Sequence, residues 1–187
     1  VLMVKQTTRD RMIEKASQLI REYGYQNIPL RKLASLLGVT TGAFYKAFEN
    51  KEELYYQVCL LENQKQLKRL EEQYLDGVSD PLDCIWQIGL FLLSEYETNS
   101  QMMDFLFFSP VATEAYRKGE LLEIGNKTVV YLDLLPIESQ KEKKILLLKL
   151  DTFITGYGHF IAKGLEPFDE EVYRSMFNDL LGGYKHD

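Results

Sequence analysis

The sequence predicts an all-α fold: an N-terminal three-helix domain followed by a larger helical domain. Three observations point to it. Apolar residues recur at helical spacing along most of the 187 residues. No stretch sustains the alternation of a half-buried strand. Residues 24–54, GYQNIPLRKLASLLGVTTGAFYKAFENKEEL, read as two short helices around a tight turn and then a capped third.

The elements follow in order. A first helix over 8–23 puts Met12, Ile13, Ala16, Leu19, Ile20 and Tyr23 on one face. Thr7 or Thr8 can cap it and Gly24 ends it. Pro29 suits the first position of a second helix, where its missing N–H costs nothing. Leu30, Leu33, Ala34 and Leu37 form the apolar face of that helix, and Gly38 follows where a left-handed residue would close it. Thr40 or Thr41 can cap a third helix, whose Phe44 and Phe48 lie one turn apart. A helix-turn-helix over about 29–48 results, a unit that places its second helix in the DNA major groove.

Asn50 then caps a long helix running to about Leu75, with Glu53 placed to reach back as in a capping box. At ~1.5 Å per residue this helix would be nearly ~40 Å long. Gly77 to Pro81 is a break, with Asp80 as cap and Pro81 as first helical residue of a helix to about Tyr96. A short helix near 101–108 stops at Ser109-Pro110. One helix is expected over 112–134, ending before Pro136. Ser139 with Glu142 opens a helix to about Lys163, and Asp169 caps the last helix, to about Leu181. There is no low-complexity segment and no internal repeat.

Composition narrows the function. Net charge is −6, yet residues 1–50 carry eight Lys or Arg against four Asp or Glu, while the remainder carries 14 against 24. A basic end on an acidic body suits local neutralisation of phosphates. Cys59 and Cys84 are the only cysteines and His159 and His186 the only histidines. Buried thiols are the simplest reading, and neither a disulfide scaffold nor a metal site is expected. No apolar run approaches the ~20 residues of a membrane span, since Lys149 breaks LLLKL. The opening VLMVK is too short for a secretion signal, and Met3 is a candidate start that would make Val1 and Leu2 additions. A reduced, cytoplasmic protein away from membranes is the expectation. Without a nucleophile–histidine constellation, a phosphate loop or metal-spaced ligands, an enzyme is not expected.

Gly24-Tyr25, Arg31, Leu33-Ala34, Gly38-Val39, Gly42, Phe44-Tyr45, Phe48, Lys51 and Leu54 stand together at a characteristic spacing. In this the stretch from about 7 to 60 resembles the DNA-binding domain of the TetR family of bacterial transcriptional regulators. The resemblance implies a helix-turn-helix DNA-binding domain over 5–50 and a ligand-binding and dimerisation domain over 51–187. Thr40, Thr41 and Ala43 are small enough to let the recognition helix sit deep, where methyl groups touch thymine. Gly42 allows close backbone approach or local packing. Lys46 can reach phosphate or a guanine edge. Arg31 can bond guanine bidentately or contact phosphate. Lys51 sits in the first turn of the long helix, where free N–H groups attract phosphate. The family resemblance puts Tyr45 against the DNA backbone. Ala47 stands where many members have His or another polar residue, and Pro29 where many have Ser or Thr.

In the body, Trp86, Met103, Phe105, Phe107, Tyr116, Tyr131, Phe153 and Tyr157 are candidates to line an apolar ligand pocket. His159, amid Phe153, Tyr157 and Phe160, reads as a packed histidine. The last two helices carry much apolar surface, including Ile145, Leu148, Phe160, Val172 and Phe177. The resemblance implies a homodimer through these helices, reading a palindromic operator on double-stranded DNA with recognition helices ~34 Å apart. It further implies a repressor released by a small apolar or aromatic effector, with no cofactor. The alternative is a TetR-like interaction protein whose body binds a protein partner.

Overall fold

The computed structural model describes residues 7–26, 28–120 and 123–184. The candidate start at Met3 and His186 lie outside them. Among the described residues there are ten α-helices and no strand: α1 (Thr8–Tyr23), α2 (Leu30–Leu37), α3 (Thr41–Ala47), α4 (Lys51–Gln73), α5 (Pro81–Thr98), α6 (Ser100–Phe108), α7 (Pro110–Arg117), α8 (Glu123–Leu134), α9 (Gln140–Ala162) and α10 (Glu170–Leu181). The all-α class is as the sequence predicts.

Local chemistry sets most boundaries. Thr7 closes a full capping box with Asp10 at the start of α1. Asp80 accepts from the Leu82 and Asp83 amides with Pro81 next in line, and Ser139 and Asp169 cap α9 and α10. Two boundaries depart from expectation. Pro29 is the residue before α2 rather than its first helical residue. The single helix expected over 112–134 is two, α7 and α8. Gly119 takes φ 75°, and the Glu120 amide bonds back to the Ala115 carbonyl at 2.9 Å. That is a Schellman closure, available because glycine enters the left-handed region without penalty. The long helix α4 also ends at Gln73, so its 23 residues span about 35 Å.

The chain divides into two compact units. The first comprises residues 1–64 and 101–121, the second residues 65–100 and 122–187. In the first, Met12, Ala16, Ile20, Leu33, Phe44, Phe48, Leu54, Val58 and Phe105 build one core. Phe105 packs between Tyr25 and Tyr55, each ring 5.5 Å away. Within this core Glu62 of α4 has no solvent exposure. Its carboxylate accepts from the Ser17 hydroxyl at 2.7 Å and pairs with Arg21, both on α1. Burial pushes the Cys59 thiol, beside it on α4, up to about 12.

In the second unit α5 is central and packs against α8 and α9. Arg69 makes a two-pronged ion pair with the nearly buried Glu95, both bonds at 2.8 Å. A Cβ on Gly158 would lie 2.2 Å from the ring of Tyr96, itself fully buried. The glycine is thus what lets α9 approach α5. By length and composition α9 is the one helix among those described that could cross a membrane. Lys149 breaks the apolar run in sequence but does not keep the helix's most apolar stretch below the threshold of a span.

Two stability changes follow. Arg21→Ala removes the cation paired with the buried Glu62 carboxylate and is expected to cost about 3 kcal/mol. Urea unfolding that matches the parent would show Glu62 satisfied without it. Gly158→Ala should lower stability by about 1–3 kcal/mol through overpacking against Tyr96. A denaturation midpoint unchanged by this substitution would mean the ring can move aside.

Candidate nucleic-acid interface

The first unit presents a short helix pair on a buried support. In α2, Leu33, Ala34 and Leu37 are buried, while Arg31 and Lys32 are exposed. Gly38, at φ 76°, closes α2, and the Val39 amide bonds the Ala34 carbonyl at 3.0 Å. The chain therefore turns sharply and α3 begins two residues later. Thr40 caps α3, its hydroxyl accepting from the Ala43 amide at 3.1 Å. Phe44 is fully buried and Phe48 nearly so, which anchors one side of α3 in the core.

The opposite side faces solvent. Thr40, Gly42, Ala43, Tyr45 and Lys46 are exposed and Thr41 is half-buried. Tyr45, 56% exposed, leans edge-on against Phe44 with centroids 5.7 Å apart. Its hydroxyl thus stands on an aromatic footing. All the DNA-facing residues expected on α3 lie on this outer surface or its margin.

Lys51 is placed less simply. Its ammonium donates to the Ile28 carbonyl at 3.4 Å and lies 5.4 Å from the Tyr55 ring centroid. It is folded over the loop before α2, so a phosphate would have to compete with these partners. Asn50 caps α4 through the Glu53 amide at 2.8 Å. Glu53, however, reaches back to the Glu49 amide at 2.6 Å rather than to the Asn50 amide that a capping box would use.

One residue that holds the helix pair in place was missed by sequence reasoning. Arg9, in the first turn of α1, donates from Nε to the Ala47 carbonyl at 3.2 Å and from its terminal nitrogen to Glu53 at 2.9 Å. Its guanidinium also lies 4.7 Å from the Phe48 ring centroid. The Glu49 amide first, and then Arg9, hold the Glu53 carboxyl below the usual carboxylate range. A lowered carboxyl keeps its charge at neutral pH, and the pair is lost only as pH falls through that lowered value. The available signal was a cation in a helix's first turn, where the dipole disfavours it and a distant anion must compensate.

The ligand candidates separate. Met103, Phe105, Phe107 and Tyr116 belong to the first unit; Met103 and Phe105 are fully buried there, and Phe107 and Tyr116 are exposed. Trp86, Tyr131, Phe153 and Tyr157 belong to the second. Trp86 packs on Tyr173 at 4.2 Å, with Arg174 4.9 Å from its ring. It borders a groove of about 360 Å3 that Asp80, Asp83 and Phe177 also line. Tyr131 lies beside Cys84, whose thiol burial pushes up. Tyr157 stacks on Phe153, accepts from the Asp169 amide at 2.8 Å and donates to the Pro167 carbonyl at 3.1 Å, so it ties the turn into α10. His159 packs edge-on against Tyr96.

A glycine-closed helix pair with an exposed second helix defines a helix-turn-helix, the unit that DNA-binding regulators use to enter the major groove. Residues 12–58 match the family described as "Bacterial regulatory proteins, tetR family". The HTH-type transcriptional regulator AcrR of Shigella flexneri is 27% identical over 180 residues, 96% of this chain and 75% of that protein. NalD of Pseudomonas aeruginosa, described as the secondary repressor of the MexAB-OprM multidrug efflux pump, shares the fold at a TM-score of 0.62, with 22% identity and 96% of each chain covered. RolR, crystallised with resorcinol, shares it at 0.63, with 18% identity, 92% of this chain and 87% of that chain covered. Over residues 12–58 the chain is thus similar to the TetR family of bacterial transcriptional regulators, and along most of its length it shares the fold of such regulators.

Tyr45→Phe should weaken binding to all DNA sequences alike, as loss of a phosphate contact does. Arg31→Ala should instead relax preference at one position, at about 1–3 kcal/mol if it bonds guanine bidentately. Selection of binding sites from random DNA checks both. An unaltered site preference for Arg31→Ala would assign that residue to the phosphate backbone.

Proposed function

We propose that the chain is a homodimeric repressor that reads a palindromic operator with paired α3 helices and is released by a small apolar or aromatic effector. The observation that carries the reading is the outer surface of α3: small and polar residues around Tyr45 and Lys46, held on a buried Phe44 and Phe48. Thr40, Thr41, Gly42 and Ala43 would approach base edges, while Tyr45, Lys46, Lys51 and the N-terminus of α4 would hold phosphates. Arg31 would supply either a guanine or a phosphate contact.

Support for the dimer is the apolar surface left on the last two helices. Leu146, Ile154, Tyr173 and Phe177 are buried within the chain, but Ile145, Leu148, Phe160 and Val172 are 43–66% exposed. A two-fold pairing through α9 and α10 would cover them and present two heads to successive major grooves.

For the effector, the aromatic edge that Trp86 and Phe177 give to the groove of the second unit suits an apolar or aromatic molecule, whereas Met103 and Phe105 are buried in the first unit. RolR's resorcinol is such a molecule in a relative of the same fold. The helix α4 belongs to both units, so a ligand that shifts it would change how the heads present α3. An effector preferring the DNA-incompetent state 100-fold supplies about 2.7 kcal/mol of coupling, and operator DNA must weaken effector binding by the same factor. The action would take place in the cytoplasm, where the operator lies.

Fluorescence anisotropy on the DNA upstream of the gene, at several salt concentrations, tests the reading. A dimer on a palindrome is expected, with affinity falling steeply as salt rises through counterion release. Light scattering should give twice the chain mass. A monomer at micromolar concentration, or no binding to any genomic fragment, would overturn the proposal. A body-bound aromatic compound that leaves DNA affinity unchanged would remove the induction step.

A further inference from the structure

We infer that Arg9 and Glu53 form a clamp that sets the pose of the recognition helix, making both positioning residues for DNA reading although neither lies on its outer face. The inference rests on the operator-binding function proposed above.

The geometry is a closed set of contacts around the α3–α4 corner. The last carbonyls of any helix lack intrahelical partners. For α3 the Ala47 carbonyl is met by Nε of Arg9, a cation at the negative end of the helix dipole. The same guanidinium lies over Phe48, the residue that ends α3, and reaches Glu53 in the first turn of α4. Glu53 passes the constraint back: its second oxygen accepts from the Glu49 amide, inside the two-residue corner between Phe48 and Lys51. One side chain from α1 thus fixes the end of α3, and its partner fixes the corner beyond it.

The clamp matters because α3 is only seven residues long. A helix this short has little stability of its own, and its angle is set by what holds its ends. Thr40 holds the first end locally; Arg9 holds the second from 38 residues away. Base readout requires donor and acceptor positions fixed to within a fraction of an ångström, whereas phosphate attraction tolerates a looser helix. Loosening the clamp should therefore reduce specific binding while sparing non-specific binding.

Charge makes the test decisive. Glu53→Gln removes a negative charge from the DNA-facing unit, and Arg9→Lys preserves the positive one. Electrostatics alone predicts tighter binding for the first and no change for the second. The clamp predicts a loss of about tenfold or more in operator affinity for both, with affinity for unrelated duplex unchanged in Arg9→Lys and unchanged or higher in Glu53→Gln, and no shallower salt slope in either. The exchanged pair, Arg9→Glu with Glu53→Arg, should restore part of the Glu53 contact but not the Ala47 carbonyl bond, and so should recover only partially. Hydrogen exchange of the free protein supplies a readout independent of DNA: in both single variants the α3 amides should lose protection while those of α1 and α5 keep theirs.

Operator affinity unchanged or improved in Glu53→Gln, or α3 protection unchanged in both variants, overturns the clamp. So does a loss that falls equally on unrelated DNA with a shallower salt slope, which would make Arg9 a phosphate contact. If the parent chain binds no operator, the proposed function fails on its own, and the exchange measurement still decides the clamp.

Discussion

A carboxylate without solvent access sits within the helix-turn-helix unit. Glu62 on α4 would be among the costliest groups in the core if left alone. Ser17 and Arg21 meet it, one helical turn apart on α1 and so on one face. Any slip of α1 along α4 would separate the carboxylate from its donors, so the contact fixes register as well as proximity. Helices α2 and α3, of eight and seven residues, are too short to persist alone. They fold because Leu33, Leu37, Phe44 and Phe48 find a ready apolar surface on α1 and α4. The exposed face of α3 inherits its position from that support.

The same unit reaches beyond its N-terminal segment. Residues 101–121 return to it, and Phe105 of α6 lies between Tyr25 and Tyr55. Tyr25 follows the glycine that ends α1, and Tyr55 stands one turn into α4. An aromatic residue from outside the N-terminal segment thereby completes the core on which the helix-turn-helix rests. In the second unit Arg69 and Glu95 join the far part of α4 to α5 by a pair of charge-assisted bonds. A single helix carries the polar anchor of each unit.

Local chemistry explains why much of the fold was legible. Thr7, Thr40, Asp80, Ser139 and Asp169 act within three residues of themselves, and Gly38 acts within its own turn. A pattern that short survives reading without tertiary knowledge, and so did the exposure of Tyr45 against the burial of Phe44. The break at Gly119 was missed because apolar residues at helical spacing continue on both sides of it. Glu53 was read as reaching the cap residue, yet it bonds one residue further back, a choice set by its tie to Arg9. Arg9 itself looks like a solvated charge until residues 38 and 44 positions away come beside it. Glu62 left a clue, since it falls in the stripe of Leu54, Tyr55, Val58 and Cys59 where another apolar side chain would be expected. The aromatic residues of the body carried none: helical spacing cannot separate a ring that packs a core from one that meets a ligand.

The two thiols have a consequence for observing the protein at work. Cys59 lies in the core of the first unit and Cys84 is buried in the second, so each unit carries one silent thiol. A thiol held protonated by burial reacts only when its surroundings open. Labelling kinetics followed by peptide mapping would thus time the opening of each half separately in the unmodified chain. An operator or an effector that quietens one half more than the other would reveal itself as a change in the ratio of two rates.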